Sequence, residues 1–243
     1  MEVAFTDRDG GVSTGAFSSL NLAAAGLDDR RQVQQNLARV MEAFAGSADA
    51  SAALMHQVHG DQVAVVGCGP DADLAPGAVT AEVGDLAQVD GLVTAEPDVT
   101  LVVRMADCVP VLLAAGDGAV VGALHVGRAG LVGGIVTAGL AAMASSGATG
   151  CTAWIGPSVC GGCYEVPAEL REEVCRAVPE AWAETSWGTP SVDVAAGVCA
   201  QLASAGVDVV DASRCTREDE GLFSYRRDGD RAGRMAGLVR IRG

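Results

Sequence analysis

His59 in the segment HQVHG, Cys108 in ADCVPVLL and His125 in LHVGRAG are residue types that can act together. Two imidazoles and a thiolate make a ligand set for zinc, with a fourth position left open to water or substrate. The chain has only three histidines, and two fall in this set. That points to a metal- or thiol-dependent enzyme ahead of a binding module. A catalytic zinc lowers the pKa of a bound water to about 7, and the released proton needs a carboxylate. Asp107 adjoins Cys108, and Asp90 precedes a short strand candidate. Neighbours on a regular strand face opposite ways, so Asp107 reaches that water only if the backbone bends; otherwise it is a buried acid capping a turn. The same residues allow a second chemistry, a cysteine hydrolase or amidase with Cys108 as nucleophile and His125 as base. A third reading is a non-catalytic protein whose zinc is structural, which a closed four-ligand site would favour.

Elements must bring these residues together. Thr100–Met105, Val109–Ala115 and Ala119–Val126 are apolar, β-branched runs that read as buried strands. The last two flank Gly116-Asp117-Gly118, and Asp-Gly between apolar runs is a hairpin signal. A two-residue turn makes paired positions sum to about 235, so residue 110 faces 125 and Cys108 lies at the same open end as His125, on strands about 5 Å apart. After His125 the chain turns through Gly127-Arg128-Ala129-Gly130 into a helix over 131–145. A strand, a glycine turn and a helix start together make an anion site. Other helices are expected over 28–45, 168–177 and 194–205, and strands over 62–66, 91–94, 151–155 and 207–210. Helices and strands alternate, so the class is mixed α/β. The stretch from Gly67 to Gly84 reads as a surface loop, and one domain over 1–243 is the simpler organisation.

Of 243 residues, about half are hydrophobic, enough for a substantial core. The net charge of −15 repels phosphate backbones and acidic membranes, so neither nucleic acid nor a membrane is expected as a partner. All 16 basic residues are arginine, which excludes a Schiff-base or P-loop lysine. No signal peptide or apolar span is visible, so a cytoplasmic location is expected. The eight cysteines then read as thiols or ligands. Cys160-Gly-Gly-Cys163 is a CxxC without a second CxxC to complete a zinc site, and reads as reduced thiols in a glycine turn, with a redox pair as the alternative. His56 reads as structural.

The segments FTDRDGGVSTGAFSSLNLA, HQVHG, DGLVT, ADCVPVLL, LHVGRAGL, WIGPSVCGGCYEV and FSYRRDGDRAGRMAGLVRI occur in the order seen in the YfiH-like proteins, and the chain resembles that family from about Phe5 to Ile241. Formerly described as polyphenol oxidases or laccase-domain proteins, its members are regarded as purine nucleoside phosphorylases with adenosine deaminase activity. The resemblance implies a layered α/β/β/α sandwich with mixed sheets. It implies zinc on His59, Cys108 and His125, with copper less favoured, because a multicopper centre needs many more histidines than three. It implies phosphorolysis of adenosine, inosine, guanosine and methylthioadenosine, and deamination of adenosine by water attack at C6. Phosphate needs a cationic, donor-rich pocket, for which Arg8, Ser13, Arg128 and Arg226 (or Arg227) are candidates, each arginine with a surface ion pair as its alternative role. The family usually has HAGWRG where this chain has HVGRAG, so Arg128 replaces a tryptophan and Ala129 an arginine. If that arginine holds phosphate, Arg128 must do so from the next position. A cell-wall precursor editing role has also been attached to the family. A monomer or weak homo-oligomer is expected.

Overall fold

A computed structural model describes residues 1–23, 26–67 and 88–242. Its strands are β1 (Glu2–Phe5), β2 (Ala52–Leu54), β3 (Val63–Val66), β4 (Gly91–Thr94), β5 (Thr100–Met105), β6 (Val109–Ala115), β7 (Val121–Val126), β8 (Cys151–Ile155), β9 (Trp182–Glu184), β10 (Pro190–Val192), β11 (Asp208–Asp211) and β12 (Met235–Arg240). The α-helices are α1 (Arg30–Ala45), α2 (Arg128–Gly133), α3 (Ile135–Ser145), α4 (Ala168–Ala177), α5 (Val194–Ser204) and α6 (Tyr225–Asp228).

Two mixed sheets carry the fold. One runs β1-β12-β5-β2 and the other β11-β8-β6-β7-β4-β3; β9 and β10 form a separate pair. The β2/β5, β3/β4 and β8/β11 pairs are parallel and the rest antiparallel. The sheets face each other across a core that joins Leu101, Val103 and Val239 to Leu92, Leu112 and Ala123. Outside the smaller sheet, Val40 and Met41 of α1 pack on Val102 and Leu238. Outside the larger one, Leu131, Ile135, Met143, Val174 and Val198 from α2, α3, α4 and α5 pack on Val111, Leu113 and Leu124. The layers are therefore α/β/β/α. Successive residues of β6 serve two cores, Val111 and Leu113 facing helices and Leu112 and Ala114 the other sheet. That is why the strand reads as an unbroken apolar run.

The β6–β7 hairpin has the expected register, Pro110 opposite His125. Its connection is longer than two residues: β7 begins at Val121, and Gly118 takes a left-handed φ of 72°. The helix expected over 131–145 is instead two. It begins earlier, at Arg128, and breaks at Gly134, whose φ of 94° ends α2 and opens α3. α1 starts two residues inside the expected range, because the side chain of Asp29 caps it by accepting from the Arg31 N–H. The loop expected from Gly67 to Gly84 lies, from residue 68 on, outside the described residues. Among the described residues no helix is long and apolar enough to cross a membrane, and seven cysteines are free thiols.

Candidate active site and metal centre

His125 lies near the end of β7, Cys108 immediately precedes β6, and His59 sits in the turn before β3. One donor atom from each lies within 4.8 Å of the others. The Cys108 sulfur is 3.6 Å from His59 Nε2, and the two imidazoles meet edge to face with centroids 4.9 Å apart. His125 is buried, Cys108 half-buried and His59 exposed, so the group opens to solvent on the His59 side.

Asp90 organises both histidines. It is fully buried immediately before β4. Its Oδ1 lies 2.7 Å from His125 Nδ1 and accepts the His59 N–H at 3.0 Å, while Oδ2 accepts the N–H groups of Val58 and Gly60 at 3.1 and 2.6 Å. One carboxylate thereby orients His125, leaving Nε2 to face Cys108, and holds His59 at a φ of 61°, a left-handed conformation unusual outside glycine. Burial opposes ionisation of Asp90, but His125 and the backbone donors outweigh it and hold its pKa below the usual value. Burial likewise opposes charge on Cys108 and His125. Their mutual attraction, with hydrogen bonds from His59 and Asp90, overrides it and brings the thiol down to about 6 and the imidazole up to about 9. Both shifts favour a thiolate on Cys108 beside an imidazolium on His125.

The glycines of HVGRAG act through close approach. A Cβ on Gly127 would sit 2.7 Å from His59 Cδ2 and 3.3 Å from the Cys108 sulfur; one on Gly130 would sit 2.8 Å from the Gly60 carbonyl. Both glycines let the turn that carries His59 pack against the start of α2.

The other candidates have definite places. At Asp107 the backbone does bend, to a φ of 96°, but the carboxylate accepts from the Thr216 hydroxyl and the Arg226 N–H, both at 2.6 Å. Ser13 donates to Asp28 and accepts from Asn36 in a buried network under the N-terminal segment. Arg8 donates to the Ser18 and Glu220 carbonyls and lies over the Phe223 ring. Arg226 stacks on Tyr164 and donates to the Glu165 carbonyl, and Arg227 pairs with Asp228. Arg128 opens α2, half-buried. His56 is exposed and outside the donor group.

Two further arginines have a bearing on the site, Arg104 outside every quoted motif and Arg234 within the C-terminal one. Arg104 on β5 is buried and donates to the Met55 carbonyl. Arg234, just before β12, donates to the Ala232 and Gly233 carbonyls and lies within electrostatic reach of Cys108 and Asp107. Among the described residues neither is in an ion pair. Burial and the charge of Arg234 pull Arg104 down to about 10. Arg104 breaks the apolar run of a buried strand, and that interruption is the signal that could have revealed it.

Known proteins share this outline. The chain is 49% identical to the purine nucleoside phosphorylase ORF3 of Streptomyces griseus over 239 residues, 97% of this chain and 92% of that protein. The crystal structure of YlmD from Geobacillus stearothermophilus is 31% identical with a TM-score of 0.84, covering 99% of this chain and 92% of that one. The Bacillus licheniformis hypothetical protein YfiH is 26% identical with a TM-score of 0.83, at the same coverage of each chain. The model of one family, described as multi-copper polyphenol oxidoreductase laccase, matches residues 2–242, and the chain belongs to that family.

Proposed function

We propose that the chain is a zinc-dependent purine nucleoside phosphorylase, with adenosine deamination as a second activity of the same site. The observation that carries this is the open His59–Cys108–His125 donor group with Arg234 within electrostatic reach of Cys108, and Arg104 within reach of Arg234. The relatives' name, purine nucleoside phosphorylase, supplies the substrate class. The match over residues 2–242 supports reading the chain as one domain.

The donor set fits zinc. Three donors with a carboxylate behind one histidine are the pattern of a catalytic zinc site, and the exposed His59 leaves the donor group open to solvent. When bound, zinc supplies Lewis acidity at that open position. Copper uses two histidines and a thiolate in electron-transfer sites completed by a weak axial thioether. Such a site would colour the protein intensely, so a colourless, zinc-containing preparation supports our reading.

The chain's own residues account for the rest. A protein of net charge −15 repels phosphate unless cations are concentrated locally, and Arg234 and Arg104 provide such a concentration. In phosphorolysis a phosphate oxygen bonds to C1′ while the C1′–N9 bond breaks and its electron pair passes to the purine. Arginine donors hold the attacking anion, and positive potential at the site favours electron flow into the base. In deamination water adds at C6 and ammonia leaves. Asp107, held by Thr216 and Arg226, fixes the backbone that presents Cys108. Arg8, Arg128 and Arg226 remain proposed phosphate contacts, with Ser13 a supporting residue beneath the N-terminal segment.

A second reading has one observation in its favour. The thiolate–imidazolium pair of Cys108 and His125 is also the resting state of a cysteine hydrolase or amidase. Product chromatography on adenosine, with and without phosphate, separates the two, using wild type and Cys108→Ala. Adenine with ribose 1-phosphate, formed only with phosphate and lost in the variant, supports the phosphorylase. Inosine alone leaves a deaminase. No turnover by the zinc-loaded protein overturns phosphorylase and deaminase alike and favours thiol chemistry.

A further inference from the structure

Outside this site, four potential ligands meet. We infer that Cys160, Cys163, Cys215 and Glu218 form a second zinc centre, a closed four-ligand site that joins two loops behind Asp107. One donor atom from each lies within 4.8 Å of all the others, and the Cys163 sulfur is 3.4 Å from Glu218 Oε1. Zinc–sulfur bonds of about 2.3 Å in a tetrahedron place sulfurs about 3.8 Å apart, so little movement is needed.

The backbone is already arranged for it. The donors come as two pairs of the same spacing, Cys160-x-x-Cys163 and Cys215-x-x-Glu218. Each pair rides a turn. The Cys163 and Tyr164 N–H groups donate to the Cys160 carbonyl, and the Asp219 N–H to the Cys215 carbonyl. A parallel bridge between Ser158 and Cys215 holds the turns side by side, with hydrogen bonds of 3.1 and 3.0 Å. The first turn is fixed from behind: Ser191 Oγ donates to the Gly161 carbonyl at 2.6 Å, and a Cβ on Gly161 would strike Asp193.

Charge favours a cation here. The neighbouring arginines face elsewhere, Arg214 toward Asp219 and Arg217 over the Trp187 ring. Three cysteines, which give up their protons on binding metal, and a carboxylate form a soft donor set that suits zinc. A disulfide would use two sulfurs and leave the third thiol and the carboxylate without a role.

The site's place in the fold gives it a task. Thr216, next to Cys215, donates to the Asp107 carboxylate, and the Val159 N–H, next to Cys160, donates to the Asp107 carbonyl. Zinc at this position would fix both supports of the residue beside Cys108, a structural role distinct from the open site.

Zinc content per chain, measured after exhaustive removal of loose metal, tests this. The Cys108→Ala variant isolates the second site, so the result does not depend on the catalytic reading. We expect that variant to keep one tightly held zinc, and the same variant carrying Cys163→Ser and Cys215→Ser to keep none. Cobalt exchanged into Cys108→Ala should show the strong visible bands of tetrahedral thiolate coordination. Because the serine variant could unfold, Glu218→Gln at the exposed ligand in the Cys108→Ala background provides a second measurement. It should bind zinc at least tenfold more weakly in competition with a chromophoric chelator while keeping its circular dichroism. A Cys108→Ala protein without zinc, equal zinc with and without the serines, or unchanged affinity in Glu218→Gln would overturn the inference. So would a disulfide among the three cysteines in a protein that takes up no zinc at this site after reduction.

Discussion

His59, Cys108 and His125 converge from three separate segments at one end of the strands of the six-stranded sheet, whereas Cys160, Cys163, Cys215 and Glu218 arrive as two pairs on two turns. The first group depends on a buried carboxylate that accepts four hydrogen bonds, three from backbone N–H groups and one from His125. The second depends on local turns and one short bridge. The contrast separates two tasks. Three donors held by a rigid, buried support leave a direction open for substrate. Four donors on adjacent turns close around an ion and hold the turns together.

The largest effect is expected at the open site. Cys108→Ala should abolish turnover of purine nucleosides while leaving the second zinc in place, as read by product chromatography together with metal content. Next is its support. Asp90→Asn should lower zinc affinity at the open site, or activity, about 10- to 100-fold, because it weakens the hold on both histidines. Chelator competition and kinetics measure it, and an unchanged affinity would show that the histidines hold their places without the carboxylate.

Arg234→Gln should raise the KM for phosphate by roughly 10- to 100-fold, the value of one charge-assisted hydrogen bond of about 1.5–3 kcal/mol. Water-dependent deamination should change far less, and equal loss of both would place Arg234 in the scaffold. Gly127→Ala is a smaller perturbation. Its Cβ would press on His59, so overpacking of about 1–3 kcal/mol is expected as a lower melting temperature, together with weaker metal binding.

The smallest effect is a titration. With the metal removed, iodoacetamide alkylation of Cys108 should have its midpoint near pH 6 and slow below it, since the thiolate is lost as pH falls through about 6. His125 stays protonated up to about 9, so the pair persists across neutral pH. A midpoint near that of a free thiol would show that the two side chains do not couple.

Much of the scaffold is legible in the chain. β5, β6, β8 and α4 fall on the expected residues, because β5 and β6, buried on both faces, are mostly apolar runs and α4 has a clear helical period. The hairpin register follows from Asp117-Gly118. The split between α2 and α3 does not, since Gly133-Gly134 within an Ala/Gly/Leu-rich stretch reads as a tolerated weakness until Gly134 takes a left-handed turn. β1 and β2 are short and β12 is interrupted by Gly237, so they carry little pattern; β12 and β2 pair with β5, and β1 with β12.

Chemical inventory and local order were written in the chain: the residue types of the open site, the hairpin joining two of them, the absence of lysine and the acidic charge. How distant residues met was settled by packing. It gave Asp90, rather than Asp107, the place beside His125; it drew Arg104 and Arg234 together from opposite halves of the chain through the pairing of β5 with β12; and it brought Cys215 and Glu218 to the CxxC turn. The physical reason is the same in each case. Periodicity and turn chemistry act over a few residues, while side-chain direction and long-range pairing are fixed only when sheets and loops pack.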